Sequence, residues 1–508
     1  GNGQSHLRLW LGDLDRADYE AIVSRSDGDL SDVKNKSLLS AYDNYTKWLA
    51  ELAPKELYAF FNKLTSDTTV IRLDVSQAKD AYKLFEMINN RGLRLQPTDT
   101  IKNYLLGRAA NIDDAVLASV KSDWQKLIIA LDGLNADDFF RQWLAGKLNR
   151  KVSMNKIVTE FQHHYSSRVI GAEGEDRFVD DDGEGGAGNE DDDSSGNGES
   201  GGYANSGDLA NHDKGATVKG SGSSVDSDVQ SPAAKAVRRV PLKSFVKDMR
   251  QAAERYARIR RAATGEPAFD RRLRNLQRIN TLPAFTWLLD MFARKDVEPK
   301  SRLRLLQALE AFMMRRHICS KRTSELDTIF ASMANLPKQQ YEQLALAKLR
   351  EHTPEDFEFE RDFAKYQFVP AVIGRARYAL EQIEYHQHHA HGEMTVADSS
   401  VVEVEHIIPK AVHKRSVKQE FGDWPTYLGA GWKRDYEKAL HRIGNLTLLS
   451  GSLNVVASNN PFLAKKKEYK QSSIKITQDL GRLNQFRLNA VQKRSEAFAK
   501  LAVKIWRV

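Results

Sequence analysis

Val401-Val402-Glu403-Val404-Glu405-His406-Ile407-Ile408-Pro409 and, further along, Gly444-Asn445-Leu446-Thr447-Leu448-Leu449 decide the fold of the C-terminal part of this 508-residue chain. The β-branched alternation of the first stretch predicts a strand that ends before Pro409, and the second stretch predicts another strand. Ser450-Gly451-Ser452 predicts a turn, and the residues from Leu453 onward predict a short helix that carries Asn454. Two strands packed on one helix form a ββα cradle.

The cradle gathers residue types suited to phosphodiester hydrolysis, which requires a deprotonated water and compensation for growing negative charge. A neutral histidine with a pKa of about 6.5 takes a proton from water at cellular pH, and we assign this general-base role to His406. The Glu405 carboxylate and the Asn454 carbonyl oxygen suit Mg²⁺ or Mn²⁺. We therefore predict Glu405 and Asn454 as metal ligands, and Asn454 also as a catalytic residue.

Strand geometry restricts this site, because adjacent strand residues point to opposite faces. Glu405 and His406 can share one ion only if the strand ends or twists there, and Pro409 favours an ending. We expect Asn445, a third catalytic residue, to orient the loop that carries His406 through side-chain hydrogen bonds to the backbone.

Basic residues around the cradle are candidates for DNA binding. Lys465, Lys466 and Lys467 follow Pro461, which suits the first turn of a helix, and at least two of them are expected to face phosphates. A solvated helix face explains the third equally well. His441 either contacts phosphate or packs, and the sequence leaves both open.

The composition indicates a basic multidomain protein. Residues 171–235 hold 16 acidic and four basic residues, so this segment carries −12 and the rest of the chain +20. Such an excess suits a polyanionic partner, although a solvated surface also explains it. The single cysteine, Cys319, excludes an intrachain disulfide and multi-thiolate zinc sites. No run approaches the roughly 18 apolar residues of a membrane span, so we expect a cytoplasmic protein without membrane contact.

We predict a mainly α chain with small β elements, an α+β fold class, in four regions. Residues 1–170 combine helices with a strand at 69–74, and residues 171–235 form a disordered acidic Gly/Ser linker. A DNA mimic that occupies a basic cleft is the alternative interpretation of the linker. Residues 236–395 form a helical bundle, and residues 396–508 form the ββα domain.

The ordered C-terminal set resembles the HNH nuclease superfamily, and most closely the nuclease domain of the GmrSD-type and SspE-type modification-dependent restriction proteins. The likeness covers roughly residues 401–508 and includes residues 441–449, the step to Asn454 and the motif at residues 459–462. It implies a ββα-metal HNH fold. Glu405 stands where Asp is frequent, and Asn454 stands where some members use His, which bears on metal preference.

Residues 85–103 resemble the latter half of the ParB-like NTPase module of the same proteins. Arg91 beside Gly92 suits phosphate binding, whereas a helix C-cap with a surface arginine is the alternative. The resemblance implies that nucleotide-binding residues lie at Asn89, Arg91, Asp99 and Lys102. The family's Asp-Gly-Gln-Gln-Arg motif is absent upstream, so we expect the start of the module to be missing. This absence counts against NTP hydrolysis by the chain, although the full-length protein is expected to bind NTP.

The resemblance implies a metal-dependent endonuclease that nicks or cleaves DNA in antiphage defence, gated by nucleotide and by DNA modification. A homo-oligomer is compatible with this function. Two alternatives remain open: a noncatalytic DNA-binding or regulatory subunit with a degenerate HNH fold, and an RNA-cleaving HNH toxin.

Overall fold

The computed structural model describes residues 15–24, 30, 33, 35–69, 96–171, 239–388, 396, 400–412 and 423–508. Of the predicted strand at 69–74, only residue 69 lies within these ranges. Asn89 and Arg91 lie outside them. Residues 172–235 of the predicted acidic linker also lie outside the described residues.

Helices dominate the described residues, and the one sheet among them has two strands, which confirms a mainly α fold with small β elements. The elements are α1 Arg16–Ser24, α2 Lys36–Glu51, α3 Pro54–Asn62, α4 Pro97–Ala110, α5 Asp114–Ala130, α6 Ala136–Leu148, α7 Ile157–Arg168, α8 Leu242–Arg260, α9 Pro267–Ile279, α10 Phe285–Ala293, α11 Pro299–Ile318, α12 Ser324–Met333, α13 Tyr341–Glu351, α14 Asp356–Lys365, α15 Ile373–His388, β1 Val402–His406, α16 Trp424–Leu428, α17 Trp432–Leu440, β2 Leu446–Ser450, α18 Gly451–Ala457, α19 Phe462–Gln471, α20 Lys475–Gln478 and α21 Leu488–Ile505. Within the described ranges, none of the helices is long and apolar enough to cross a bilayer.

The chain forms two compact units, residues 1–129 and 130–508. In the first unit, α4 begins at Pro97, whose missing N–H costs nothing at the first helical position. Ile101 and Leu105 of α4 are completely buried, as is Val120 of α5. These apolar faces form the described core of the first unit.

An aromatic cluster forms the core of the first half of the second unit. Trp143 of α6, Phe161 of α7 and Phe245 of α8 are buried, and their ring centroids lie 6.0–6.3 Å apart. Rings at this separation attract one another by more than the burial of their apolar area accounts for.

A backbone contact joins the chain on either side of the acidic segment. The Val240 amide donates to the carbonyl of Arg168, the last residue of α7, at 2.9 Å.

The second unit begins at Ala130. The aromatic cluster packs α6 and α7 against α8 across more than 70 residues of intervening sequence. The predicted boundaries at residues 170, 235 and 395 stay predictions.

Glu310 of α11 is a buried polar centre that joins three helices to the C-terminus. Its carboxylate accepts hydrogen bonds from Arg272 and Asn275 of α9, both at 2.9 Å, and from the Tyr378 hydroxyl of α15. The Trp506 indole donates to the same hydroxyl at 2.8 Å. Because buried polar groups are costly unless they are hydrogen-bonded, this network fixes the C-terminal helix relative to the helical block.

β1 and β2 pair in antiparallel register, with Val402 opposite Ser450 and His406 opposite Leu446. An isolated two-stranded ribbon is marginal in water, and here helices cover it. Arg377 of α15 donates to the Val402 carbonyl, and Thr477 of α20 donates to the Leu448 carbonyl at 2.6 Å. The predicted strands are confirmed, as is the short helix that carries Asn454. Ser450 is the N-cap of that helix rather than part of a separate turn.

Gly444 provides a test of this packing. Its amide donates to the Ser495 hydroxyl of α21 at 3.0 Å, and an added Cβ would overlap the Val491 carbonyl oxygen and lie 2.5 Å from Ser495 Oγ. We predict that Gly444→Ala lowers the free energy of unfolding by about 2–3 kcal/mol, measured by urea denaturation. Gly374→Ala is the control, because a Cβ there meets no atom within 4 Å and the change is expected to stabilise α15 by about 0.5–1 kcal/mol. Equal urea midpoints of unfolding for the two variants would contradict the prediction.

His164 of α7 predicts an acid-sensitive fold. It packs on Trp143 and Phe245, and burial, followed by the charges of Lys147 and Arg168, lowers its pKa to about 4 from 6.5. The native fold holds the neutral ring. The contribution of His164 to the free energy of unfolding is therefore complete above pH ~6.5 and is lost as the pH falls towards ~4. Between pH 7 and pH 5 we expect the parent to lose about 2 kcal/mol more stability than His164→Gln in urea denaturation. Parallel stability curves would contradict this.

Candidate active site

His406 is the last residue of β1 and lies at the centre of the candidate site. Its side chain is 6% exposed, and its Nε2 lies 3.3 Å from Nδ1 of His441, which follows α17 and is half-buried. Burial, followed by the positive charge of Lys410, lowers the pKa of His406 to about 3. The same two causes lower the pKa of His441. Both rings are therefore neutral near pH 7, and one donates a hydrogen bond to the other.

Asn445 fixes the backbone on both sides of this pair. The side chain is completely buried, and its Oδ1 accepts from the Ile408 amide at 2.9 Å. Its Nδ2 donates to the carbonyls of Ile408 at 3.0 Å and Leu440 at 2.9 Å. These are side-chain to backbone hydrogen bonds of the kind that the sequence predicts for Asn445, and they also hold the end of α17 beside His441. Its contribution to catalysis stays a prediction.

Glu405 points away from His406 and forms a buried ion pair with Lys465 of α19. The Lys465 Nζ lies 2.5 Å from Glu405 Oε1 and also donates to the His406 carbonyl at 2.9 Å. The Tyr469 hydroxyl donates to the same carboxylate at 3.5 Å. Burial raises the pKa of Glu405, and the charge of Lys465 opposes this rise. Burial likewise lowers the pKa of Lys465.

The buried position of Lys465 differs from the prediction that it binds DNA. Lys465 is 0% exposed, because it lies on the inward face of α19 with Phe462 and Tyr469, which occur three residues before and four residues after it. Its ammonium is occupied by Glu405. Lys467 is exposed and Lys466 half-buried, so these two lysines remain available to phosphates.

Asn454 contacts Glu403, a residue that the sequence analysis did not select. The Asn454 Nδ2 lies 2.6 Å from Glu403 Oε2 on an exposed surface. Glu403 and Glu405 are two residues apart in β1, so both carboxylates lie on one face of the strand. This spacing is the sequence signal that could have identified Glu403.

The two predicted metal ligands contact other side chains in this arrangement. Glu405 is neutralised by the Lys465 ammonium, and strand alternation places Glu405 and His406 on opposite faces of β1. Asn454 donates its Nδ2 to Glu403, whereas the predicted ligand atom is its carbonyl oxygen. Ligation by Glu405 and Asn454 stays a prediction.

Another group of potential ligands lies elsewhere, where Cys319, Glu358 and Asp362 approach within 4.8 Å of one another. Glu358 is paired with Lys321 at 2.9 Å and Asp362 with Arg361 at 2.7 Å. Burial raises the pKa of the Cys319 thiol to about 12, so the thiol is protonated and is a poor ligand.

Two family models match the chain at its two ends. The model of the C-terminal domain of the GmrSD restriction endonucleases matches residues 353–501, and the model of their N-terminal domain matches residues 1–106. The chain belongs to the GmrSD restriction endonucleases. The two matches together cover about half of the chain, and the candidate site lies inside the C-terminal match. No curated protein matches the chain. As a GmrSD restriction endonuclease, the chain is a nuclease, and its substrate is DNA.

Two of the four predicted nucleotide-binding residues fall on a described part of the GmrSD N-terminal domain. Asp99 is exposed in the first turn of α4, and Lys102 is half-buried one turn later. Their partners in the prediction, Asn89 and Arg91, lie outside the described residues, so nucleotide binding stays a prediction.

The buried ion pair provides a test of the site's architecture. Lys465→Met leaves the Glu405 carboxylate buried without its partner, and we expect the free energy of unfolding to fall by about 3–5 kcal/mol in urea denaturation. The double variant Glu405→Gln/Lys465→Met removes both charges and should recover most of this loss. Lys466→Met, at the partly exposed neighbour, is the control and should change the stability by less than about 0.5 kcal/mol. If the single and double variants are equally unstable, the loss does not come from an unpaired Glu405 carboxylate.

Proposed function

We propose that the C-terminal domain is an HNH-type nuclease that hydrolyses DNA phosphodiesters, with His406 as the general base. The observation that carries the proposal is a neutral, buried imidazole at the end of β1, held by His441 and by the loop that Asn445 fixes. The order β1, β2 and α18 supports an HNH fold, and the restriction-endonuclease family supports the reaction.

The histidine pair suggests how the proton leaves the reacting water. His406 accepts the proton, and the hydrogen bond to His441 stabilises the charged ring that results. Because His441 is the more exposed of the two, it gives the proton a route to solvent. Asn445 contributes by holding the histidine loop in one conformation, which removes an ordering cost from the reaction.

We propose that the reaction depends on Mg²⁺ or Mn²⁺, which would supply positive charge beside the scissile phosphate. Glu405 and Asn454 are the proposed ligands, and their use requires that Lys465 leave the Glu405 carboxylate. Lys410 and Lys467 are exposed and Lys466 is half-buried, so their ammonium groups are available to phosphates. We propose that they bind the DNA backbone, with His441 as a further contact.

The N-terminal match extends the proposal to regulation. We propose that nucleotide bound at this domain gates an antiphage, modification-dependent cleavage of DNA in the cytoplasm.

A noncatalytic DNA-binding subunit is the second candidate. One observation favours it: the carboxylate expected to bind metal is already neutralised by Lys465, as in a site that has lost its metal. Under this hypothesis DNA is retained in gel shifts while no nick appears with any metal.

Nicking of supercoiled plasmid with a panel of divalent metals separates the two candidates. We expect the parent to nick with Mg²⁺ or Mn²⁺, and His406→Ala to nick about 10²–10⁴-fold more slowly while it still folds and binds DNA. His163→Ala, an exposed histidine on α7, is the matched control and should nick like the parent. If His406→Ala nicks at the parental rate, the proposed mechanism is wrong.

A further inference from the structure

A stripe of arginines runs along the solvent side of α9. Arg271, Arg274 and Arg278 are three and four residues apart, so they lie within about 60° of one another around the helix axis. Arg271 and Arg274 are exposed, and Arg278 is half-buried. Leu273 and Leu276 are buried on the opposite side of the helix. The stripe therefore faces away from the core of the helical block.

Carboxylates do not neutralise this stripe. Residues 267–280 hold four arginines and one acid, a net charge of 4 − 1 = +3. The acid, Asp270, accepts from the amide and the hydroxyl of Thr264 at 2.8 and 2.7 Å. Arg278 donates to a carboxylate of α15 at 2.6 Å. Arg271 and Arg274 make no ion pair or side-chain hydrogen bond with any residue that the structure describes, so both guanidinium groups are free for a partner.

The carboxyl end of α9 is joined to the candidate active site. Arg375 of α15 donates to the carbonyl of Ile279, the last residue of α9, at 3.4 Å and to the Tyr366 hydroxyl at 3.1 Å. Two residues further along, the Phe368 amide donates to the His441 carbonyl at 2.8 Å. His441 belongs to the histidine pair of the candidate site. The stripe and the histidine pair therefore lie on neighbouring parts of the second unit.

Exposed lysines lie around the same junction. Lys365 ends α14 immediately before Tyr366, and the Lys438 carbonyl accepts from Gln367 Nε2 at 2.7 Å. Lys410 follows β1 on the loop of the histidine pair. All three lysines are exposed and have no ion pair within the described ranges. Unpaired cations therefore occur both on α9 and between α9 and the candidate site.

The dimensions of the stripe fit the backbone of a DNA strand. Arg271 and Arg278 are seven residues apart, which is about 10 Å along an α-helix. Each strand of duplex DNA carries one phosphate per ~3.4 Å of helix axis, so about three phosphates lie within this length. Guanidinium groups suit phosphate because their N–H groups donate in pairs to its oxygens. DNA is the substrate of this family of endonucleases, which makes it the polyanion that the stripe fits.

We propose that the arginine stripe of α9 binds the phosphate backbone of DNA beside the cleavage position and thereby holds the duplex across the candidate active site. This inference rests on the proposed function, because it takes the histidine pair as the place of cleavage. Contacts to phosphates contribute affinity and alignment but carry no sequence preference.

The salt dependence of DNA binding tests the proposal. It is measured on the full chain by fluorescence anisotropy of a labelled duplex, with EDTA present so that no cleavage occurs. For Arg271→Gln/Arg274→Gln we expect the slope of log affinity against log salt concentration to fall by about 1.8, since each phosphate contact contributes about 0.9. If the affinities are equal at ~1 M salt, this is ~60-fold weaker binding at ~0.1 M. Two duplexes of unrelated sequence should lose affinity equally.

Two further variants separate a phosphate contact from a structural role. Arg271→Lys/Arg274→Lys keeps both charges and should keep most of the parental slope. Lys243→Gln/Lys247→Gln removes two exposed cations one turn apart on α8 and should bind DNA like the parent. All of these variants should melt at the parental temperature, because the replaced side chains are exposed.

Plasmid nicking separates this inference from the proposed function. With metal present, the double glutamine variant of α9 should need more plasmid for its half-maximal rate, while its rate at saturation stays parental. If the parent binds DNA but does not nick it, the proposed nuclease is wrong, and the slope still decides whether the stripe contacts DNA. The inference is overturned if the glutamine variant of α9 keeps the parental slope, or if the α8 variant loses as much.

Discussion

The candidate active site depends on the hydrogen bonds of one buried amide. Asn445 has three strong hydrogen bonds through its side chain, all to backbone groups of the histidine loop and of the end of α17. Its own carbonyl also accepts from the Ile407 amide at 2.9 Å, which continues the strand pairing by one step. Aspartate in its place would lose both donated bonds, and leucine would leave three buried backbone groups without partners. The positions of His406 and His441 follow from this constraint.

Much of the C-terminal architecture was predictable because it is local. The sequence pattern predicted the start of β1 and of β2 to within two residues. The short helix after β2 was predicted from the residues near Asn454. The hydrogen bonds of Asn445 to the loop backbone were also accessible, because a side-chain amide can both donate to and accept from nearby backbone groups. The fold class was predictable for the same reason, because helical periodicity dominates the described chain.

What could not be predicted are contacts made across long sequence separations. The pairing of Glu405 with Lys465 depends on which face of α19 is turned inward, and a run of three lysines gives no indication of that choice. Likewise, Glu403 and Glu405 share one face of β1, and only the fold selects Glu403 as the partner of Asn454. The aromatic cluster of α6, α7 and α8 has the same character, because each helix is amphipathic by itself and its partner is set by three-dimensional packing.

The backbone pairing between Val169 and Val240 has a consequence for how this protein can vary. These two residues are 71 positions apart in sequence but adjacent in space, so the stretch between them connects two neighbouring points. We expect insertions, deletions or changes of charge within that stretch to leave this pairing in place. The second unit can therefore accept a variable or even a foreign insert at this point, in the way that protein domains tolerate others placed within them.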